Sequence, residues 1–214
     1  MIMPRPRTPG CTRHALGLAL VLVLAGARPA HATVMRDVPL ELLVAESDVI
    51  VRATVERVGV RLDLGTGHAE PHTVVSLRVT EAIKGEVDER IVVDELGGTT
   101  PQGLGTWVEG TPRYRVGEDV VVFLDRTARG ALRTYAMCQG HFEVRHGVGG
   151  AADVVVRDTS AVGLASWEHG AMTIEHGGVR AMPLDAFLGF VRDALSQTRL
   201  PGGPASSTAT GGAR

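Results

Sequence analysis

The sequence predicts a mainly β protein, an antiparallel barrel or sandwich framed by two helices. Three observations carry this expectation. Short apolar runs recur at roughly ten-residue spacing with turn residues between them. Several of these runs alternate apolar and polar positions with period two, as half-buried strands do. Aromatic residues make up only 4% of the chain, so the core has to be built from Val, Leu, Ile and Ala, which suits a small closed barrel.

Taken from the start, Arg5, Arg7, Arg13 and His14 form a basic segment, Ala15–Ala27 is unbroken small and apolar sequence, and Ala30-His31-Ala32 is a small-x-small site. This is the three-part layout of a secretory signal peptide, with cleavage expected after Ala32. Its apolar run is shorter than the ~20 residues of a spanning helix, and no later segment would stop transfer. An exported chain, periplasmic or secreted and without a membrane span, is therefore expected from Thr33 onward. Cleavage removes four Arg and no acid, leaving 18 basic against 24 acidic side chains and a formal charge of −6. That balance argues against phosphate backbones and anionic lipid as partners. Cleavage also removes Cys11 and leaves Cys138 as the single thiol, which excludes an internal disulfide.

Asp37 is placed to cap a first helix, with Pro39 in its first turn and Leu40, Leu43 and Val44 as its apolar stripe. Strands follow. In Asp48–Val58, Val49, Val51, Ala53 and Val55 share one face, and in Thr73–Ile83, Val75, Leu77 and Val79 do the same. Lys84-Gly85-Glu86 turns the chain into Arg90–Leu96, where Ile91 and Val93 share a face. Asp119–Leu124 is apolar on both faces, the mark of a central strand. Leu132–Cys138 and His141–Arg145 read as neighbours joined through Gln139-Gly140, then Asp153–Arg157, with weaker candidates at Val162–Trp167 and Met172–Glu175. A second, amphipathic helix begins near Pro183, with Leu184, Phe187, Leu188, Val191 and Leu195 at helical spacing. The expected organisation is a signal peptide over 1–32, one β-rich domain over 33–198, and a disordered tail over 199–214 that has almost no apolar content.

The order of these segments, with Lys84-Gly85, Gly117-Glu118, Phe123-Leu124, Gln139-Gly140 and Phe142 at their turns and core, resembles an uncharacterised family of exported bacterial β-barrel domains. The resemblance covers roughly Val34 to Val144. More distantly, the layout is similar to the netrin-like and metalloprotease-inhibitor class of OB-fold domains. It implies a small antiparallel OB-like (Greek-key) barrel with a short N-terminal helix and a C-terminal amphipathic helix. Those inhibitors chelate zinc through an N-terminal Cys held by disulfides; here Thr33 would occupy that place, so no functional residue carries over.

Several constellations bear on chemistry. Cys138 and His141 are the nearest approach to a nucleophile and base, but Cys138 shares strand parity with Leu132 and Ala136 and reads first as a small buried core thiol. His68 and His72 have helical metal-site spacing, but Pro71 lies between them and the stretch reads as a loop of surface histidines. His169 and His176 flank a hairpin across which they could meet. Gly97–Gly110 is glycine-rich yet lacks both the Gly-Lys-Ser/Thr and the dinucleotide signatures, and it reads as a long irregular connection between strands. Asp94-Glu95 and Glu118-Asp119 alternate across a strand, so they read as solvated turns rather than a catalytic dyad. Trp107, Arg113 and Tyr114 cluster on the Gly-rich connection in a chain poor in aromatics, and they are the candidate binding residues, with Trp107 and Tyr114 alternatively plugging a barrel end. The expectation is an exported, non-enzymatic β-barrel domain that binds a protein or cell-envelope partner, with no catalytic residue, metal or cofactor assigned. The alternatives are a hydrolase using Cys138 with His141, or a histidine-based metal-binding module.

Overall fold

A computed structural model describes residues 33–64 and 69–199. The expected signal peptide, His68 and the chain after Arg199 lie outside the described residues. In chain order the described elements are β1 (Val34–Arg36), α1 (Leu40–Glu46), β2 (Val49–Asp63), β3 (Glu70–Lys84), β4 (Arg90–Leu96), β5 (Gly98–Thr99) and β6 (Gly105–Thr106). There follow β7 (Asp119–Arg126), β8 (Leu132–Thr134), a 3-10 turn (Met137–Gly140), β9 (His141–Arg145), β10 (Val154–Asp158), β11 (Gly163–Glu168), β12 (Ala171–His176), β13 (Val179–Pro183) and α2 (Leu184–Arg199). The protein is thus mainly β, with large antiparallel sheets and a helix near each end of the described chain.

The main sheet runs β13-β10-β9-β7-β2-β3-β4-β8. Strand β8 pairs twice. Leu132 faces Val93 of β4 in parallel and Arg126 of β7 antiparallel, so successive pairings lead from β7 through β2, β3, β4 and β8 back to β7. The alternation seen in the sequence decides what each face carries. Val49, Val51, Ala53 and Val55 of β2 and Val120, Val122 and Leu124 of β7 collect with Val75, Leu77, Ile91, Val93 and Leu132 in one apolar layer. Ile50, Val121 and Phe123 point the other way, into a layer closed by Leu43 and Val44 of α1 and by Phe187, Leu188 and Val191 of α2. This is why Asp119–Leu124 is apolar on both faces: it lies between two cores.

Lys84, the only lysine, explains the Lys-Gly turn. Its ammonium donates to the carbonyls of Val44 and Ala45 at 2.8 and 2.9 Å, closing the C-terminal end of α1. Gly85 follows at φ +80°, where an added Cβ would stand 2.7 Å from the Asp48 carbonyl. Glycine is required there on both counts.

Three expectations are corrected. Asp37 does not cap α1: Pro39 is the N-cap, no side chain bonds there, and the Asp37 amide instead donates to Ala165 at 2.8 Å. Leu132–Cys138 is not one strand, and it is not the hairpin neighbour of β9. Strand β8 ends at Thr134, Ala136 and Met137 take positive φ, and the 3-10 turn moves the chain along the same edge of β7, so that β8 pairs Leu124–Arg126 and β9 pairs Asp119–Val122. The Gly-rich connection is not wholly irregular, since β5 and β6 pair within it. Strands β1 and β13 were not expected; β1 is a short parallel partner of β11 and β13 an edge partner of β10, and neither has a period-two apolar face of its own.

Gln139 ties this arrangement together. It is fully buried, accepts from the Val38 amide at 2.9 Å and from Arg157 at 2.8 Å, and donates to the Arg36 carbonyl at 2.9 Å. One side chain thus joins β1, the lead into α1, the 3-10 turn and β10.

Candidate functional site

The connection from β6 to β7 carries Trp107 and Arg113 to the surface. The Trp107 indole N–H donates to Glu109 at 2.7 Å, and the Arg113 guanidinium lies over the indole ring, 4.4 Å from its centroid. Trp107 nonetheless stays 64% exposed. The stacked pair stands between two clefts and lines both. One, of about 480 Å³, runs over the Gly-rich arm and Thr73. The other, of about 290 Å³, holds Arg115, Glu118, Cys138, His141, Glu143 and Asp158. Tyr114 parts from its two sequence neighbours. Its side chain is buried in the interior layer, with its hydroxyl 2.6 Å from Thr134 Oγ1 and its ring edge-on to His141 at 4.7 Å.

In the second cleft, charges are held by local bonds. Burial raises the Glu118 carboxyl although the Arg115 amide donates to it at 2.9 Å. Glu143 is lowered by its bond to Arg145, and Asp158 by the Ser160 hydroxyl and amide. Cys138 and His141 lie in the same cleft but are shifted in the directions that oppose a thiolate–imidazolium pair. Burial pushes the thiol up to about 11 and the imidazole down to about 4. His141 is half-buried as a residue, while its Nε2 is shielded from solvent and has no hydrogen-bond partner. No Cys138–His141 hydrogen bond forms among the described residues. Alkylation of Cys138 in the folded protein is therefore expected to stay slow at neutral pH and to accelerate only toward pH 11. Fast reaction with iodoacetamide at pH 7 would reinstate the nucleophile.

Sequence reasoning missed a second buried polar cluster. His72 is not a surface histidine in a loop. It lies on β3, 7% exposed, with Nδ1 2.6 Å from Asp94 Oδ1, and Arg61 bonds the other carboxylate oxygen. Asp94-Glu95 is likewise not a solvated turn. The pair does alternate across β4, so Asp94 meets His72 and Arg61 while Glu95, 2% exposed, accepts from the Thr134 amide at 3.0 Å and hydroxyl at 2.5 Å. The signal available was the placement of both acids inside a strand flanked by buried Val93. His169 and His176 do not meet, because His169 sits in the β11–β12 turn and His176 pairs with Gly163 at the far end. Among the described residues, no three His, Cys, Asp or Glu side chains converge as metal ligands, and no helix is long and apolar enough to cross a membrane. The chain matches no protein-family model, and no curated protein matches it.

Proposed function

We propose that this protein is an exported, non-enzymatic β-domain that binds a protein or cell-envelope partner through the surface around Trp107 and Arg113. The observation that carries the reading is the stack itself: the Trp107 indole, 64% exposed where Trp167 is 61%, lies under a guanidinium at the junction of two clefts. Trp and Arg are the side chains that most often dominate binding energy, and the stack fixes both rotamers before a partner arrives. Tyr114 belongs to the support of this surface, since its ring is buried beneath it.

An OB-like, Greek-key closure is the scaffold we assign. The double pairing of β8, parallel to β4 and antiparallel to β7, and the single apolar layer enclosed by β2, β3, β4, β7 and β8 support it. The resemblance to exported OB-like domains points the same way. Export rests on the three-part layout of residues 1–32.

The test is site-specific photo-crosslinking in the native envelope, with the probe in place of Trp107 or, as a control, of Val148, which is 90% exposed on a loop. A discrete adduct from position 107 alone, on a protein whose first residue is Thr33, is the expected result. Equal adducts from both positions, or a retained Met1, would overturn the reading.

A further inference from the structure

Two arginines face each other across the β10–β13 ladder, where Arg157 and Arg180 are direct partners. Like charges directly opposite on antiparallel strands repel. Arg157 is also poorly satisfied. Its side chain is only 14% exposed, its Nη2 donates to Gln139, and its Nε–H has no partner. The carboxylate paired with it, Asp37, stands 3.8 Å away, beyond hydrogen-bond reach. Both arginines line a slot of about 330 Å³ between the lead into α1, β13 and α2. Its other walls are apolar: Val155, and Phe142 and Phe187 with ring centroids 4.7 Å apart.

We propose that this slot binds a small monocarboxylate with an apolar chain. The carboxylate accepts from the exposed Arg180 guanidinium and neutralises the Arg157–Arg180 repulsion, and the chain lies on Phe142 and Phe187. Two guanidinium charges against the one carboxylate of Asp37 leave a single positive charge, which matches a monoanion better than a phosphate dianion. The volume falls at the lower end of the roughly 300–1,000 Å³ range of small-molecule sites. Burial lowers the Arg157 pKa, Asp37 offsets this in part and Arg180 adds to it; a bound anion acts in the same sense as Asp37. The Trp107–Arg113 surface lines other clefts, so this site stands or falls independently of that reading.

The test is titration of the protein with decanoate, followed by calorimetry and by the methyl resonances of its methionines. Met182 lines the slot, whereas Met172 lies 57% exposed on β12. Decanoate is expected to shift Met182 and to bind more tightly than decanol or acetate. Arg180→Glu, on an exposed edge residue, should weaken it about tenfold. Shifts confined to Met172, equal binding of decanol, or unchanged affinity in Arg180→Glu would overturn the proposal. Tighter binding of a Leu-terminated tripeptide than of decanoate would assign the carboxylate to a polypeptide end and overturn a free amphiphile as the ligand.

Discussion

Glu95→Gln is expected to match the parent protein in stability at pH 4 and to exceed it by about 3 kcal/mol at pH 8. Glu95 is buried beside Val93 and Tyr114, and desolvation pushes its carboxyl up from 4.5 to about 7 against the two Thr134 donors. A carboxyl whose folded pKa lies above its unfolded one contributes stability that is fully present below pH 4.5 and lost as pH rises through about 7. Glutamine keeps the Oε1 acceptor for Thr134 and never ionises. His141, at the other side of Tyr114, slopes the opposite way. Its imidazole is pushed down to about 4, so its contribution is present above pH 6.5 and lost as pH falls through 4. The two slopes oppose each other between about pH 4.5 and 6.5, and the parent protein should show a flat profile there while Glu95→Gln rises with pH. Urea unfolding at pH 4, 6 and 8 reads this directly. A constant offset between the two proteins would mean that Glu95 is ionised throughout.

The second large effect is expected at Gly140. A Cβ there would lie far inside 3.0 Å of the Tyr135 carbonyl and 3.2 Å from the Phe123 carbonyl, both of them backbone atoms. Neither can yield without moving the 3-10 turn off the edge of β7, where the Tyr135 amide donates to the Phe123 carbonyl at 2.8 Å. Gly140→Ala should cost about 3 kcal/mol, at the upper end of overpacking changes. Gly149→Ala is the comparison, with a positive φ of 69° but no heavy atom within 4 Å of the new Cβ, and its strain should stay near 1 kcal/mol. Equal losses in the two variants would show that the close approach at 140 is relieved by a small shift of the 3-10 turn.

The strands that were legible in the sequence are those with a face of their own. Val49, Val51, Ala53 and Val55 announce β2 because alternation is the only way to bury them together, and Phe187 and Val191 announce α2 by the same logic at helical period. The turn after Thr134 was not legible. It is set by the close approach of Gly140 to the Tyr135 and Phe123 carbonyls and by β8 and β9 sharing one edge of β7, and neither leaves a local pattern. The site followed the same rule. Trp107 and Arg113 stood out by residue type, while Tyr114, next to Arg113 on the same irregular connection, turns inward to Thr134 and His141. The buried His72–Asp94 and Glu95–Thr134 bonds join residues 22 and 39 positions apart, and only the register of β3, β4 and β8 brings them together.

Lys84 holds the end of α1 in a chain with no other lysine. That makes it a clock. Acylating reagents meet one side-chain amine, and that amine is engaged with the Val44 and Ala45 carbonyls whenever α1 is seated. The rate at which Lys84 is modified, set against the rate for the α-amino group of the same molecule, measures how often the helix lifts from the sheet. A local opening equilibrium can therefore be timed in this protein by mass spectrometry, with no substitution in the sequence.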